Sequence, residues 1–424
     1  MSVEGSPISA PPAFLHPFAK PSATEFLRIV SGQGAIVTDD QGRRYVDAMG
    51  SLWYCNVGHG RAEIADAVAQ QLRKLAAFHT FEMFTNDPAD QLCQELVAIA
   101  PVPDARIFLT SSGSEAVDSA IKLARLAQAV RGEPQRQVIV SRRPSYHGVT
   151  YGGLAVTGLP LNQEHFGAML PDVVQTPHDD LAAVEVVFAE RGDRIAAVIA
   201  EPVIGAGGVY PPVPGYLEGL RRLCDEHGAW LIFDEVICAF GRLGAWWGAE
   251  RFGVRPDLVT FAKAVTSGYV PLGGVVVGGP VRQALEADPD LVLRHGHTYS
   301  GHPTACAAGL EALAITRREG LLDRAGKIGE RLATGLRSLA DDGHIAEARG
   351  DGAVWAAGLH PDTDAAAVRD RMLTTGVIAR PIGTATVSFC PPLVISDDDV
   401  DRCVESLHAA VTELRGSGAR SNRT

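Results

Sequence analysis

The chain has 424 residues, more than one hydrophobic core usually serves, so one large domain and at least one smaller one are expected. A composition of 46% hydrophobic and 21% charged residues excludes a disordered, collagenous or disulfide-scaffold protein. The formal net charge of -12, without any Lys/Arg cluster, excludes a broad nucleic-acid footprint or docking on an acidic membrane surface and leaves small-molecule work.

At the N-terminus, MSVEGSPISAPPAFLHPFAKPS has no basic segment followed by an apolar one, and no run of 18 apolar residues occurs, so a cytoplasmic protein is expected. The opening up to about Pro12 and the tail RGSGARSNRT read as mobile termini. Between Arg106 and Val277, short apolar runs (RIFLT, RQVIVS, AAVIAEPV, AWLIFDEV, PDLVTFAK, GGVVVGG) alternate with helix-patterned segments such as SEAVDSAIKLARLAQAV and GYLEGLRRLCDEHG. That alternation predicts a mostly parallel sheet covered by helices, an α/β fold. After Thr304 come two long helical patterns, then a β-rich stretch from Ala346 to Phe389 and a closing helix from about Asp397 to Leu414, which together predict a smaller domain. The seven cysteines (Cys55, Cys93, Cys224, Cys238, Cys306, Cys390, Cys403) form no C-x-x-C pair, and most sit among apolar neighbours, as free thiols in a reducing compartment do.

Three loops carry candidate chemistry. In FLTSSGSEAVDSAIK a strand ends in a Ser/Gly turn that opens a helix with Ala116, Val117, Ala120, Ile121 and Ala124 on its apolar face. Free N–H groups at that helix start, close approach at Gly113 and the hydroxyls of Ser112 and Ser114 suit a phosphate, although the same pattern alone is more often a simple N-cap. WLIFDEV puts Asp234 and Glu235 just past a strand, where ligands sit in open α/β sheets and where helix caps also occur. Lys263 follows the next strand, in LVTFAKAVTSGYVPLGG. An isolated lysine there would ordinarily snorkel to water. An amine, an acid and a phosphate cradle at one sheet edge, however, describe a site for pyridoxal phosphate, whose protonated ring nitrogen would pair with Asp234. A desolvated lysine beside that ring could both bond the cofactor and move protons. In SYHGVT, Tyr146 offers a stacking face, with His147 beside it.

Taken together, SSGSEAVDSAIK, SYHGVTYGGLAVTG, AVIAEPVIGAGGVYPP, LIFDEVICAFGRLG, TFAKAVTSGYVPLGG and HGHTYSGHPTACAAG resemble the class III pyridoxal-phosphate aminotransferases, and among them the ω-amine:pyruvate and β-alanine:pyruvate transaminases. The resemblance runs in order from about Phe18 to Pro392. It implies fold type I: a mostly parallel seven-stranded sheet flanked by helices, plus a smaller α+β domain. Residues 1–52 would be an arm contributing to the small domain and the active-site entrance, 53–310 the large cofactor domain and 311–424 the small domain. Lys263 would form the Schiff base with the cofactor, Asp234 would pair with the pyridine nitrogen, and Val236 and Tyr146 would cover the two ring faces. Ser112, Gly113 and Ser114 would hold the phosphate, with His147 and Glu201 also in the cofactor site. Thr298 would reach the phosphate in a neighbouring subunit, giving a homodimer with shared sites or a tetramer built from it. Phe18, Trp53, Phe81, Glu82, Ala206 and Arg380 would line the substrate pocket, Arg380 binding the carboxylate of a 2-oxo acid, pyruvate being the expected acceptor from an ω-amine or β-amino acid donor.

Glu82 stands where a second aromatic residue is common in amine transaminases, and His297 where phenylalanine is, which makes the neighbourhood of the pocket more polar. The same fold and cofactor also fit an aminomutase or a decarboxylating transaminase; Trp53 with Arg380 favours transfer between two substrates. A metal site on His295, His297 and His302 lacks a completing carboxylate or cysteine pair, and IGAGGVY has Tyr210 where a dinucleotide motif needs its third glycine. A non-catalytic binding protein would leave Lys263 and Asp234 without a role.

Overall fold

The computed structural model describes residues 13–421, of which 416–421 are described by backbone alone. The Ser/Pro-rich opening up to Pro12 lies outside the described residues, as do 422–424. The closing helix runs over Asp397–Ser421 and so passes the expected end at Leu414 and takes in most of the expected tail. Gly416 and Gly418 weaken a helix there without forbidding its backbone.

Among the described residues, fifteen strands form three sheets. In chain order they are β1 (Ile29–Gln33), β2 (Ile36–Asp39), β3 (Arg44–Asp47), β4 (Arg106–Thr110), β5 (Val138–Arg143), β6 (Val173–Pro177), β7 (Ile195–Ala200), β8 (Trp230–Asp234), β9 (Leu258–Phe261), β10 (Gly273–Val277), β11 (Glu347–Asp351), β12 (Val354–Gly358), β13 (Val377–Ile378), β14 (Arg380–Ile382) and β15 (Thr386–Phe389). The central sheet has the order β4-β10-β9-β8-β7-β5-β6. Only β10 runs against the rest, pairing antiparallel with both β4 and β9. The middle strands are buried along their whole length, as in IAAVIA of β7 and WLIFD of β8, because helices cover both faces.

The Gly113–Val130 helix packs under this sheet on the face read from the sequence: Ala116, Val117, Ala120, Ile121 and Ala124 are all buried. Ser112 caps it, its hydroxyl accepting the Glu115 N–H. Because β4, β5, β7, β8 and β9 share one direction, the turns after Thr110, Arg143, Ala200, Asp234 and Phe261 all open at one sheet edge. The antiparallel β10 enters that edge at Gly273, which pairs with Thr110.

The other two sheets are four-stranded, β1-β2-β3-β13 and β11-β12-β15-β14. The first joins the chain's beginning to its end, with β13 parallel to β3. One apolar core accordingly mixes Val46, Ala48 and Ile64 with Ala312, Leu336, Val387 and Leu407. The expected β-rich stretch from Ala346 to Phe389 is split by a helix, Ala365–Thr374, started by Asp364, whose side chain accepts the Ala367 N–H.

Candidate active site

At this sheet edge Lys263 sits two residues beyond β9 in a left-handed backbone conformation (φ 49°) that opens a short 3-10 turn, Lys263–Thr266. Such a φ is costly for a residue with a Cβ and marks a site where the surroundings dictate the backbone. Burial lowers the amine's proton affinity, and the nearby Arg380 charge lowers it further, while Asp234 and Glu201 act in the opposite sense. The side chain is therefore poised towards its neutral form.

Asp234 ends β8 and is buried. It caps no helix. Its Oδ1 accepts from the Thr260 hydroxyl at 3.0 Å and the Val236 N–H at 3.1 Å, and its Oδ2 faces Nδ1 of His147 at 2.7 Å. Glu235, by contrast, turns away to bind the backbone N–H groups of Gly248 and Ala249, and burial pushes its pKa up to about 8. The adjacent acids thus have separate tasks, one facing the site and one fixing a loop.

The phosphate-type turn lies against this pair. A Cβ added to Gly113 would come within 3.0 Å of Val236 and 3.5 Å of Ala262, so the turn lies close against Val236. The Ser114 hydroxyl accepts the Val149 N–H at 3.1 Å and so ties the helix start to the loop after His147. Just before it, Tyr146 donates its N–H to Glu201 at 3.0 Å, and the other Glu201 oxygen accepts from Gly205 at 2.9 Å. Burial raises the Glu201 pKa, opposed by His147. Ala206 lies in the same turn, partly buried.

Arg380 starts β14 and is partly buried near Tyr146; burial lowers its proton affinity, and its Nε lacks a hydrogen-bond partner. Trp53 is buried in a cluster with Ile237, Cys238 and Cys390. Phe18, Phe81, Glu82 and Thr298 stand outside this buried group. Phe18 is 78% exposed, Phe81 borders Gly296, and Glu82 and Thr298 are exposed. The three histidines weighed as a metal set have other surroundings: His295 and His297 flank Ser119, and His302 precedes the Pro303–Arg318 helix.

Three contributors escaped the sequence reading. Thr260 was visible as the lone polar residue of LVTF, and it serves Asp234. Asp47 and His59 hold the loop bearing Trp53, and no local motif signals such a pairing.

A helix start, an acid and a desolvated lysine thus gather on one edge of the central sheet. The model of the family described as aminotransferase class-III matches residues 18–411, and the chain belongs to that family. It is 37% identical over 412 residues to the omega-aminotransferase of Caulobacter vibrioides, covering 91% of this chain and 93% of that protein. It is 35% identical over 414 residues to the beta-alanine--pyruvate aminotransferase of Pseudomonas aeruginosa, covering 91% and 92%. Among solved structures it resembles an amine transaminase from an uncultivated Pseudomonas species in its PLP-bound form, with a TM-score of 0.91, 35% identity and coverage of 96% and 99%. The chain is thus a class-III aminotransferase similar to the ω-transaminases.

Proposed function

We propose that this aminotransferase takes an amino group from an ω-amine or a β-amino acid and passes it to a 2-oxo acid, pyruvate foremost, in two half-reactions on pyridoxal 5'-phosphate. The observation that carries the choice of substrate is Arg380. Its guanidinium is partly buried, its Nε is unpartnered, and among the described residues no carboxylate forms an ion pair with it. A planar, always-charged group held in that state suits the carboxylate of an incoming acid.

The residues present fit the cofactor. The buried Nε2 of His147 has no partner, the Gly113 turn leaves little room for a side chain, and an acid and an amine lie at the same sheet edge. Gly113, Ser112 and Ser114 would hold the phosphate, Val236 and Tyr146 the two ring faces, and Lys263 the reactive carbon. Bound there, the cofactor supplies a cationic ring that stabilises negative charge on a neighbouring carbon.

The chain's own groups do the remainder. Asp234, fixed by Thr260, Val236 and His147, would pair with the ring nitrogen and hold its proton there. Lys263 Nζ, its proton affinity lowered by burial, would take a proton from the donor carbon and deliver it to the cofactor's reactive carbon. Arg380 grips the acid in one half-reaction and must swing away for an uncharged amine in the other. Trp53 and Ala206 would shape the pocket, and Phe18, Phe81, Glu82 and Thr298 would complete it from a second copy of the chain in a homodimer.

The test is a donor panel of β-alanine, a diamine, taurine and 1-phenylethylamine against pyruvate and 2-oxoglutarate. Alanine formation is expected, and transfer to 2-oxoglutarate alone would overturn the choice of acceptor. Isomerisation of one substrate without an acceptor would point to an aminomutase, and release of carbon dioxide to a decarboxylating enzyme. Borohydride reduction followed by peptide mapping should mark Lys263; an unmodified Lys263 would refute the cofactor assignment. In Arg380→Ala, KM for pyruvate should rise at least about tenfold more than KM for the amine.

A further inference from the structure

Lys122, His295, Ser119 and His297 form a hydrogen-bond chain whose direction is fixed by chemistry. Lys122 Nζ lies 2.9 Å from His295 Nδ1. An ammonium only donates, so Nδ1 accepts and the proton of the neutral ring sits on Nε2. Burial and the Lys122 and His297 charges push the His295 pKa down to about 4, which keeps the ring neutral at ordinary pH. His295 Nε2 then donates to the Ser119 hydroxyl at 2.9 Å. Ser119, fully buried, has one proton to give, and it faces His297 Nε2 at 3.3 Å. His297 Nδ1 in turn lies 3.9 Å from Glu115 Oε1. The other Glu115 oxygen accepts the Ser111 N–H at 2.7 Å, at the phosphate-type turn.

The chain ends on the residue before Thr298. The same segment is pinned once more, the His297 N–H donating to Ser300 Oγ at 3.1 Å and that hydroxyl donating to the Leu109 carbonyl at 2.7 Å. Phe108 stacks on the His295 ring at 5.1 Å between centroids. Thr298 itself is exposed.

We propose that His297 is a positioning residue: through Ser119 and His295 it locks the Thr298 segment to its own protomer's Gly113–Val130 helix and so sets how Thr298 meets the cofactor phosphate in the partner's site. This rests on the homodimer reading above. Each phosphate-binding helix then serves two sites, its own through Gly113 and the partner's through Thr298.

The experiment measures the dissociation constant of pyridoxal phosphate from the holoenzyme, with oligomeric state by light scattering, for wild type, His297→Phe, His297→Gln, Ser119→Ala and the Ser119→Ala/His297→Phe pair. His297→Phe and Ser119→Ala should each weaken retention about five- to tenfold, and the pair no more than either alone, because both break one chain. His297→Gln, which keeps an acceptor for Ser119, should retain most of the affinity. A dimeric His297→Phe with unchanged retention, or additive losses in the pair, would overturn the proposal while leaving the dimer intact. A monomeric wild type would overturn the dimer reading, and this one with it.

Discussion

At the scale of single residues, the site depends on how Asp234 is held. Thr260 is fully buried and donates to Asp234 Oδ1, so Thr260→Val keeps the shape and removes one of that oxygen's two donors. Leaving a buried acceptor short of a donor costs about 1–3 kcal/mol. Urea unfolding of Thr260→Val should show a loss of that size together with a lower kcat, and wild-type behaviour in both would remove Thr260 from the site. Residue identity at the sheet edge was largely legible beforehand: Lys263, Asp234 and the Ser112–Ser114 turn each follow an apolar run, and strand ends in such sheets gather ligand groups. The left-handed φ of Lys263 was not legible, because no glycine or asparagine marks the position as one that favours it. Nor was the His147–Asp234 contact, which joins residues 87 positions apart.

At the scale of elements, the segment around Trp53 stores strain. Gly50, Ser51 and Trp53 have φ of 56°, 58° and 66°, and a Cβ on Gly50 would come within 2.7 Å of the Cys390 carbonyl oxygen. Ser51 and Trp53 in that region cost of order 1–3 kcal/mol each, so something must hold them. Asp47 does so by accepting the Ser51 and Met49 N–H groups at 2.6 and 3.3 Å, and His59 backs it at 2.8 Å. Asp47, with Cys55 also contributing, raises the His59 pKa from 6.5 to about 10. The folded protein thus keeps a proton that the unfolded chain releases, so this contribution is full below pH 6.5 and fades as pH rises through about 10. Between those limits the Tm of wild type should fall more steeply than that of His59→Gln; parallel curves would show that His59 does not support the loop. Nothing in GSLWYCNVGHG announces the pairing, since strain and its support are visible only when φ and contacts are known. The helix Ala365–Thr374 was missed for a related reason: ten residues between short strands carry too little periodicity to stand out.

At the scale of the whole molecule, the residues expected to touch substrate divide between a buried half and an exposed half. Thr80 binds the Ser300 carbonyl and Phe81 lies against Gly296, which joins the 78–84 loop and the 296–301 turn into one surface. That surface displays Met83 at 85% exposure and Tyr299 at 63%, with Phe78, Phe81 and Phe84 also exposed beside Thr298. Apolar side chains massed next to polar residues of an incomplete site favour a second copy of the chain as their cover. Met83→Asp would bury an unpaired carboxylate in such an interface, and the dimer dissociation constant should rise at least about tenfold with loss of bound cofactor. Thr298→Ala should leave assembly unchanged and weaken cofactor retention alone. Sedimentation velocity separates the two effects, and a Met83→Asp protein that sediments and retains cofactor like wild type would place the partner's contact elsewhere.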